Sequence, residues 1–194
     1  MRIGFDIDGV LADFDTAFGH LLEQMTNEYR LPPNWDTDPN FPPVWHWPEH
    51  YGYTLEQTRE AFGQVKKDPQ FWETLLPHKD ARPVLAWISN NQHKHDLYFI
   101  TDRAGVTAKR QTEWWLDRCM SISFPTVLIS AHKDWLAAAL LLDVYIDDRR
   151  ENCNSVASYC RVYMPARLYN RGLTDPQVRR VSSPVEMLEE EGLV

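Results

Sequence analysis

The sequence predicts an α/β protein: a Rossmann-like parallel sheet, helices on both of its faces, and a small, mostly helical cap inserted after the first strand. Three observations predict it. Short apolar runs ending in acid or hydroxyl residues recur, amphipathic stretches separate them, and residues 30–80 break the alternation. Continuous apolar runs of this length suit strands buried on both faces, as in a parallel sheet. Helices between such strands supply the crossovers.

Taken in order, the first run is Arg2–Asp8 (RIGFDID), short and β-rich. Residues 30–80 follow with no buried-strand run. Six of the 13 prolines fall between Pro32 and Pro48, among Trp35, Trp45, Trp47, Tyr51 and Tyr53, with Phe71 and Trp72 further on. The clearest helix there is Thr54–Lys66, with Thr54 able to cap it. Ala81–Gln92 places Val84, Leu85 and Ile88 at helical spacing, before the second strand, Leu97–Thr101. Thr107–Cys119 reads as a helix carrying Trp114, Trp115 and Leu116; Thr126–Ser130 is the third strand. In His132–Leu142, Trp135, Leu136, Ala139 and Leu140 form one stripe. Val144–Asp148 and Arg161–Met164 are the fourth and fifth strands. Ser183 followed by Pro184 opens the last helix, an N-cap and then proline at the first helical position. The core is expected over residues 1–16 and 81–194, and the cap over 17–80.

With 194 residues, the chain suits one domain with an insertion and can bury a core without staples. Hydrophobic residues at 43% and charged residues at 25% exclude disorder, collagen and coiled coil. Lys+Arg 20 against Asp+Glu 28 gives a net charge of -8, which argues against coating a nucleic-acid polymer. It leaves room for a mononucleotide in a small basic pocket. Cys119, Cys153 and Cys160 are odd in number and lack CxxC spacing. That fits three buried apolar residues in a reducing compartment. An acid at the sixth residue stands where a signal peptide needs its apolar stretch, and the longest apolar run, Trp135–Leu142, is too short to span a bilayer. A soluble, cytoplasmic protein with no membrane partner is expected; a homodimer stays open.

Four motifs carry chemistry. In DIDGVLADFD, Asp6 ends a strand, Asp8 follows it, and Gly9 permits a tight turn. Asp13 in the same motif reads as a helix cap. Ligands of parallel α/β sheets sit at the C-terminal ends of strands. Two carboxylates there invite a divalent cation with oxygen ligands. In YIDDRREN, Asp147 and Asp148 end another strand and supply a second pair of carboxylates. Mg²⁺ is the expected ion, because it accepts few carboxylates and pairs with phosphate. In FITDR, the Thr101 hydroxyl can bind a phosphate oxygen beside loop amides and a helix start. In SAHKDW, Lys133 opens a helix and can neutralise a phosphoryl group. Lys109, on a KRQ face, is the weaker candidate. Gly9 and Arg103 complete the candidate phosphate-binding set.

This order of motifs, from Asp6 to Asp148, resembles the haloacid dehalogenase superfamily of phosphohydrolases. Within it the chain resembles the 5'(3')-deoxyribonucleotidases, in DIDGVLADFD, in FWETLLPHKDARPVLAWI (Phe71 to Ile88), in YIDDR and in the SSPVEM helix start. The resemblance implies a core with a cap inserted after the first strand. It implies a phosphatase acting on nucleoside monophosphates, deoxyribonucleotides first, through an aspartyl-phosphate. Asp6 is then the nucleophile and Asp8 the general acid and base. Mg²⁺ is held by Asp6, the Asp8 carbonyl and Asp148, with Asp147 binding directly or through water. Phe71 and Trp72, with Arg149, form the expected base pocket. One departure stands out: the family's second motif usually reads Thr-Ser-Pro, and here it reads Thr101-Asp102-Arg103. Arg103 is then placed to touch a second phosphate or a different base. The IDDR ending also occurs in polynucleotide kinase-phosphatases. The alternatives are therefore a polynucleotide 3'-end phosphatase and a catalytically inactive ligand-binding module on the same fold.

Overall fold

Six strands form one wholly parallel sheet: β1 (Arg2–Phe5), β2 (Asp96–Thr101), β3 (Thr126–Ile129), β4 (Val144–Ile146), β5 (Arg161–Pro165) and β6 (Val178–Val181). Their order is β3-β2-β1-β4-β5-β6. The computed structural model describes residues 1–38, 40–172 and 175–194, and the Cys119 side chain lies outside those described. β6 was not foreseen. Its sequence, Val-Arg-Arg-Val, buries only its two ends, so it lacks the continuous apolar run of the inner strands.

Side chains alternate across the strands and feed two apolar clusters, one on each face. Ile3, Phe5, Phe99, Val144 and Ile146 belong to one cluster. There they meet α1 (Phe14–Thr26), α4 (Arg82–Asn91), α5 (Ala108–Trp114) and α8 (Pro184–Glu190). Ile100, Tyr145, Val162 and Met164 belong to the other, with α6 (Lys133–Leu140) and α7 (Arg150–Val156). The expected Rossmann-like architecture, helices on both faces of a parallel sheet, is what the chain adopts.

The α1 helix starts at the cap that the sequence placed there, although its length was not read. Asp13 caps it, its Oδ1 accepting from Thr16 N at 3.1 Å, as its position suggested. Between α1 and α4 lie a 3-10 turn at Trp35–Thr37, α2 (Trp47–His50), α3 (Leu55–Lys67) and a second 3-10 turn at Phe71–Glu73. Thr54 and Gln57 close a reciprocal capping box on α3, fixing its start where the sequence suggested. No strand occurs in this stretch among the described residues. Its Trp35, Trp47, Tyr53, Phe71 and Trp72 are buried in the same cluster as Ile3 and Phe5. The aromatic-rich segment thus shares one core with the sheet.

The helix expected over Thr107–Cys119 runs regularly only through α5 and continues as a wider π turn, Trp115–Cys119. That turn puts the consecutive Trp115 and Leu116 both fully inside, and Trp115 Nε1 donates to Leu75 O at 2.7 Å. Cys153 is buried, but Cys160 is only half-buried, so the expectation of three buried cysteines fails there. Among the described residues, no helix is long and apolar enough to cross a membrane.

Candidate active site

The strand register brings the sequence motifs together. Phe5 stands opposite Phe99 on one side and Ile146 on the other, so Asp6, Thr101 and Asp147 emerge at the same edge of the sheet. There a cavity of about 400 Å³ opens, lined at its floor by Asp6, Asp8, Thr101, Lys133 and Asp148.

Asp6 continues the β1 ladder, its N–H donating to Ile146 O at 2.9 Å. Its Oδ1 accepts from Ile7 N at 2.7 Å and pairs with Lys133 Nζ at 2.8 Å. Lys133 also donates to Asp147 Oδ2 at 2.8 Å and is 4% exposed. Burial pulls its ammonium down, but Asp147 and Asp6 more than offset that, and its pKa ends above the ordinary lysine value. Lys109, by contrast, pairs with Glu113 on the surface. Four donors meet Asp147: Lys133 Nζ, Tyr145 Oη, Arg149 N and Asn152 Nδ2. Among the described residues, Asp148 takes only Tyr169 Oη on its carboxylate, at 2.6 Å.

Asp6, Asp147 and Asp148 offer carboxylate oxygens within 4.8 Å of one another. Burial, reinforced by Asp147, raises Asp6 well above the usual carboxylate range and pushes Asp148 up to about 7. The cluster therefore holds more negative charge than its surroundings accommodate, with Lys133 its one lysine. Hard oxygen donors in net anionic excess are the donor set that a divalent cation of the Mg²⁺ type requires.

Two candidate phosphate contacts, Arg103 and Gly9, need correction. The Asp8 carboxylate stands apart from the acidic cluster. Arg103 grips it with Nη2 at 2.7 Å to Oδ1 and Nε at 3.0 Å to Oδ2, and Thr101 Oγ1 adds a longer contact at 3.3 Å. Its side chain is thus separate from the Asp6, Asp147 and Asp148 carboxylates, and the group of Asp8 expected at a metal remains its backbone carbonyl. Arg103 in turn does not line the cavity. Its side chain is fully buried, anchored by Thr112 Oγ1 at 2.9 Å and stacked 4.8 Å from the Trp72 ring, so its charge is used on Asp8 rather than on a phosphate. Gly9 lines the cavity, but its N–H donates to Ala12 O at 3.0 Å and is not free for a phosphate. Its φ of +78° suits glycine, and a Cβ at this position would collide with the Asp148 carboxylate. Close approach of the two acidic loops is what this glycine provides.

The far side of the cavity is aromatic: Phe14, Phe18, Trp45, Trp47, Phe62 and Trp72. Of the two aromatics expected there, Trp72 lines it and Phe71 does not. Phe71 instead packs edge-on against Trp72 and Phe14 within the core. The reading missed Phe14, Phe18 and Phe62. The spacing of Phe14 and Phe18 was a helical signal, but only the packing of α1 on α3 sets Phe18 and Phe62 at 4.4 Å. Arg149 lines the wall with its guanidinium 4.9 Å from the Trp45 ring, and its Nε is buried with no hydrogen-bond partner among the described residues. Asp15 also went unread. Trp47 Nε1 donates to its Oδ1 at 2.8 Å, and burial pushes its carboxyl up to about 7.

A family model described as "5' nucleotidase, deoxy (Pyrimidine), cytosolic type C protein" matches residues 1–188. No curated protein sequence matches the chain. Among solved structures, a haloacid dehalogenase-like hydrolase from Streptococcus pneumoniae superposes with a TM-score of 0.61 at 13% identity, covering 98% of this chain and 97% of that one. A HAD family hydrolase from Deinococcus radiodurans, solved with bound phosphate and sodium, gives 0.57 at 13% identity over 100% and 96%. The HAD-hydrolase YfnB from Bacillus subtilis, solved with magnesium, gives 0.58 at 13% identity over 98% and 98%. At these identities the likeness speaks for the fold.

Proposed function

The chain belongs to the family of cytosolic type C deoxy (pyrimidine) 5' nucleotidases, and from that premise we propose that it is a Mg²⁺-dependent phosphatase of deoxyribonucleoside monophosphates. One observation supports this above others. A single cavity has an acidic floor, with Lys133 set among the carboxylates, and an aromatic wall large enough to enclose a base.

Mg²⁺ would be held by the Asp6 and Asp148 carboxylates and the Asp8 carbonyl, with Asp147, already met by four donors, orienting from behind. When bound, it neutralises charge on the phosphoryl oxygens and on Asp6. Asp6 attacks phosphorus, and the P–O bond to the ribose breaks. The ribose oxygen leaves with a proton from Asp8, whose carboxyl Arg103 holds in one direction. An aspartyl-phosphate remains, splitting the hydrolysis into two steps. Asp8 then takes a proton from water, whose oxygen attacks phosphorus and frees Asp6 and inorganic phosphate. Lys133 and Thr101 hold the remaining phosphoryl oxygens. Phe14, Phe62 and Trp72 enclose the base, with Arg149 at the rim. Residues 17–80, as the cap, carry most of that wall.

Phosphate release should be measured over nucleoside monophosphates, sugar phosphates and oligonucleotides, with Mg²⁺ and with EDTA. Turnover is expected on the mononucleotides with Mg²⁺ and none with EDTA. Preference for an oligonucleotide, with steep loss of binding as salt rises, would instead favour a polymer-end phosphatase.

Two further results are expected. Mg²⁺ at about 100 times its dissociation constant should stabilise the fold by about 2.7 kcal/mol, which raises Tm by about 5–10 °C for a chain of this size. An unchanged Tm would remove the metal from this cluster. Phe62→Ala tests the wall, since Phe62 is 41% exposed and its loss leaves the core largely intact. Base stacking is worth about 1–3 kcal/mol, so KM for a nucleotide should rise about 5- to 150-fold. Hydrolysis of p-nitrophenyl phosphate should be unchanged. Equal loss on both substrates would retire the base-pocket role.

A further inference from the structure

We propose that a second cavity, walled by Lys79, Arg167, Arg171 and Arg180, is a binding site for a phosphate-sized oxyanion, separate from the catalytic pocket. The protein carries a net charge of -8, yet four cationic side chains line this one cavity. Arg167 is paired with Asp80, at 2.6 Å, and its Nε is buried with no hydrogen-bond partner among the described residues. The fork of Arg180 meets neutral acceptors, the carbonyl and the side-chain oxygen of Asn170, at 3.0 and 2.9 Å. Those contacts orient its charge without cancelling it. Burial, with Arg167 alongside, holds the Lys79 ammonium below its usual range against the opposing pull of Asp13, Asp80 and Asp38.

At about 190 Å³, the cavity suits a small group. Pockets for drug-sized ligands run about 300–1,000 Å³. Its position also matters, because Pro42 lines both this cavity and the catalytic one. Residues that form or brace the basic cavity reach both acidic loops. Arg167 Nη2 donates to Gly9 O at 3.1 Å, Tyr169 Oη donates to Asp148, and Asn170 Nδ2 donates to the Asp148 carbonyl at 2.9 Å. A bound oxyanion would sit behind the loops that carry Asp8 and Asp148. Two sources share this chemistry: free inorganic phosphate and a second phosphate on a nucleotide whose first occupies the catalytic floor.

The test is calorimetric titration of the whole protein with inorganic phosphate in Mg²⁺, comparing wild type with Arg171→Ala/Arg180→Ala. Both side chains are exposed and outside the catalytic set. The double variant should bind one phosphate fewer, or bind it about tenfold or more weakly, as expected for losing charge-assisted hydrogen bonds. Its Tm, and its kcat and KM for a nucleoside monophosphate, should match wild type. Phosphate binding of unchanged number and affinity would overturn the proposal. Because the readout is heat rather than turnover, failure of the nucleotidase reading leaves this result interpretable. A nucleoside 3',5'-bisphosphate separates the sources. If its phosphate fills the cavity, wild type shows a lower KM for it than for the monophosphate, and the variant loses that advantage. If free phosphate is the occupant, the bisphosphate shows no advantage in either protein.

Discussion

Asp6→Asn is expected to lower turnover roughly 10⁴-fold or more while leaving the protein folded, because an amide cannot serve as the nucleophile. Asparagine keeps the shape of the side chain. Its carbonyl oxygen can still accept from Ile7 N and Lys133 Nζ. The substitution also removes one of three crowded carboxylates. Burial and Asp147 already hold Asp6 above the usual carboxylate range, so the Tm of the variant should equal or exceed that of wild type. Low activity together with a stable fold is therefore the signature expected of the nucleophile. Turnover within tenfold of wild type would show that attack on phosphorus does not come from Asp6.

The second large effect is expected at Arg103, where the chain departs from the usual second motif of its family. Arg103→Met removes the fork that directs the Asp8 carboxyl and leaves Thr112 Oγ1 without that donor. General acid–base catalysis is worth about 10²–10⁴, and that is the expected loss of kcat on a nucleotide, whose ribose oxygen needs a proton to leave. A p-nitrophenolate leaves without one, so kcat on p-nitrophenyl phosphate should fall far less. Arg103→Lys keeps the charge but loses the two-pronged geometry and should recover only part of the rate. Parallel losses on both substrates would mean that Arg103 only supports the fold.

The placement of the candidate site was legible wherever its signal was local. Asp6, Thr101, Asp147 and Asp148 each end a strand, and Lys133 begins a helix, so short motifs placed all five. What depends on contact between distant segments was not legible. Arg103 meets Asp8 because the parallel register brings the ends of β1 and β2 side by side. No spacing in the sequence reports that, and the arginine therefore looked free for a phosphate. The same limit applies to the aromatics. Phe71 and Trp72 are adjacent and equally apolar, yet one faces the cavity and the other the core, a choice made by Phe14 and the packing around it. The amide of Gly9 was misjudged for a subtler reason, since the turn after Asp6 closes on itself through Ala12. At the sheet edge, β6 went unseen because two of its four residues are arginines.

The position of β1 has a consequence for how the chain is made. Of the six strands in this sheet it is the first synthesised, yet both of its neighbours come much later, β2 from Asp96 and β4 from Val144. Chains emerge at about 5–20 residues per second, so this apolar segment waits several seconds for its first partner and longer for its second. Pairings so distant in sequence also make for slow folding. A fragment ending before Asp96 would leave Ile3 and Phe5 with no sheet to enter and a bare strand edge open to other chains. The residue expected to attack phosphorus thus follows the strand of this sheet that is made first and secured last, and release of the nascent chain before Val144 would leave the Asp6 side of the cavity without the Asp147 and Asp148 side.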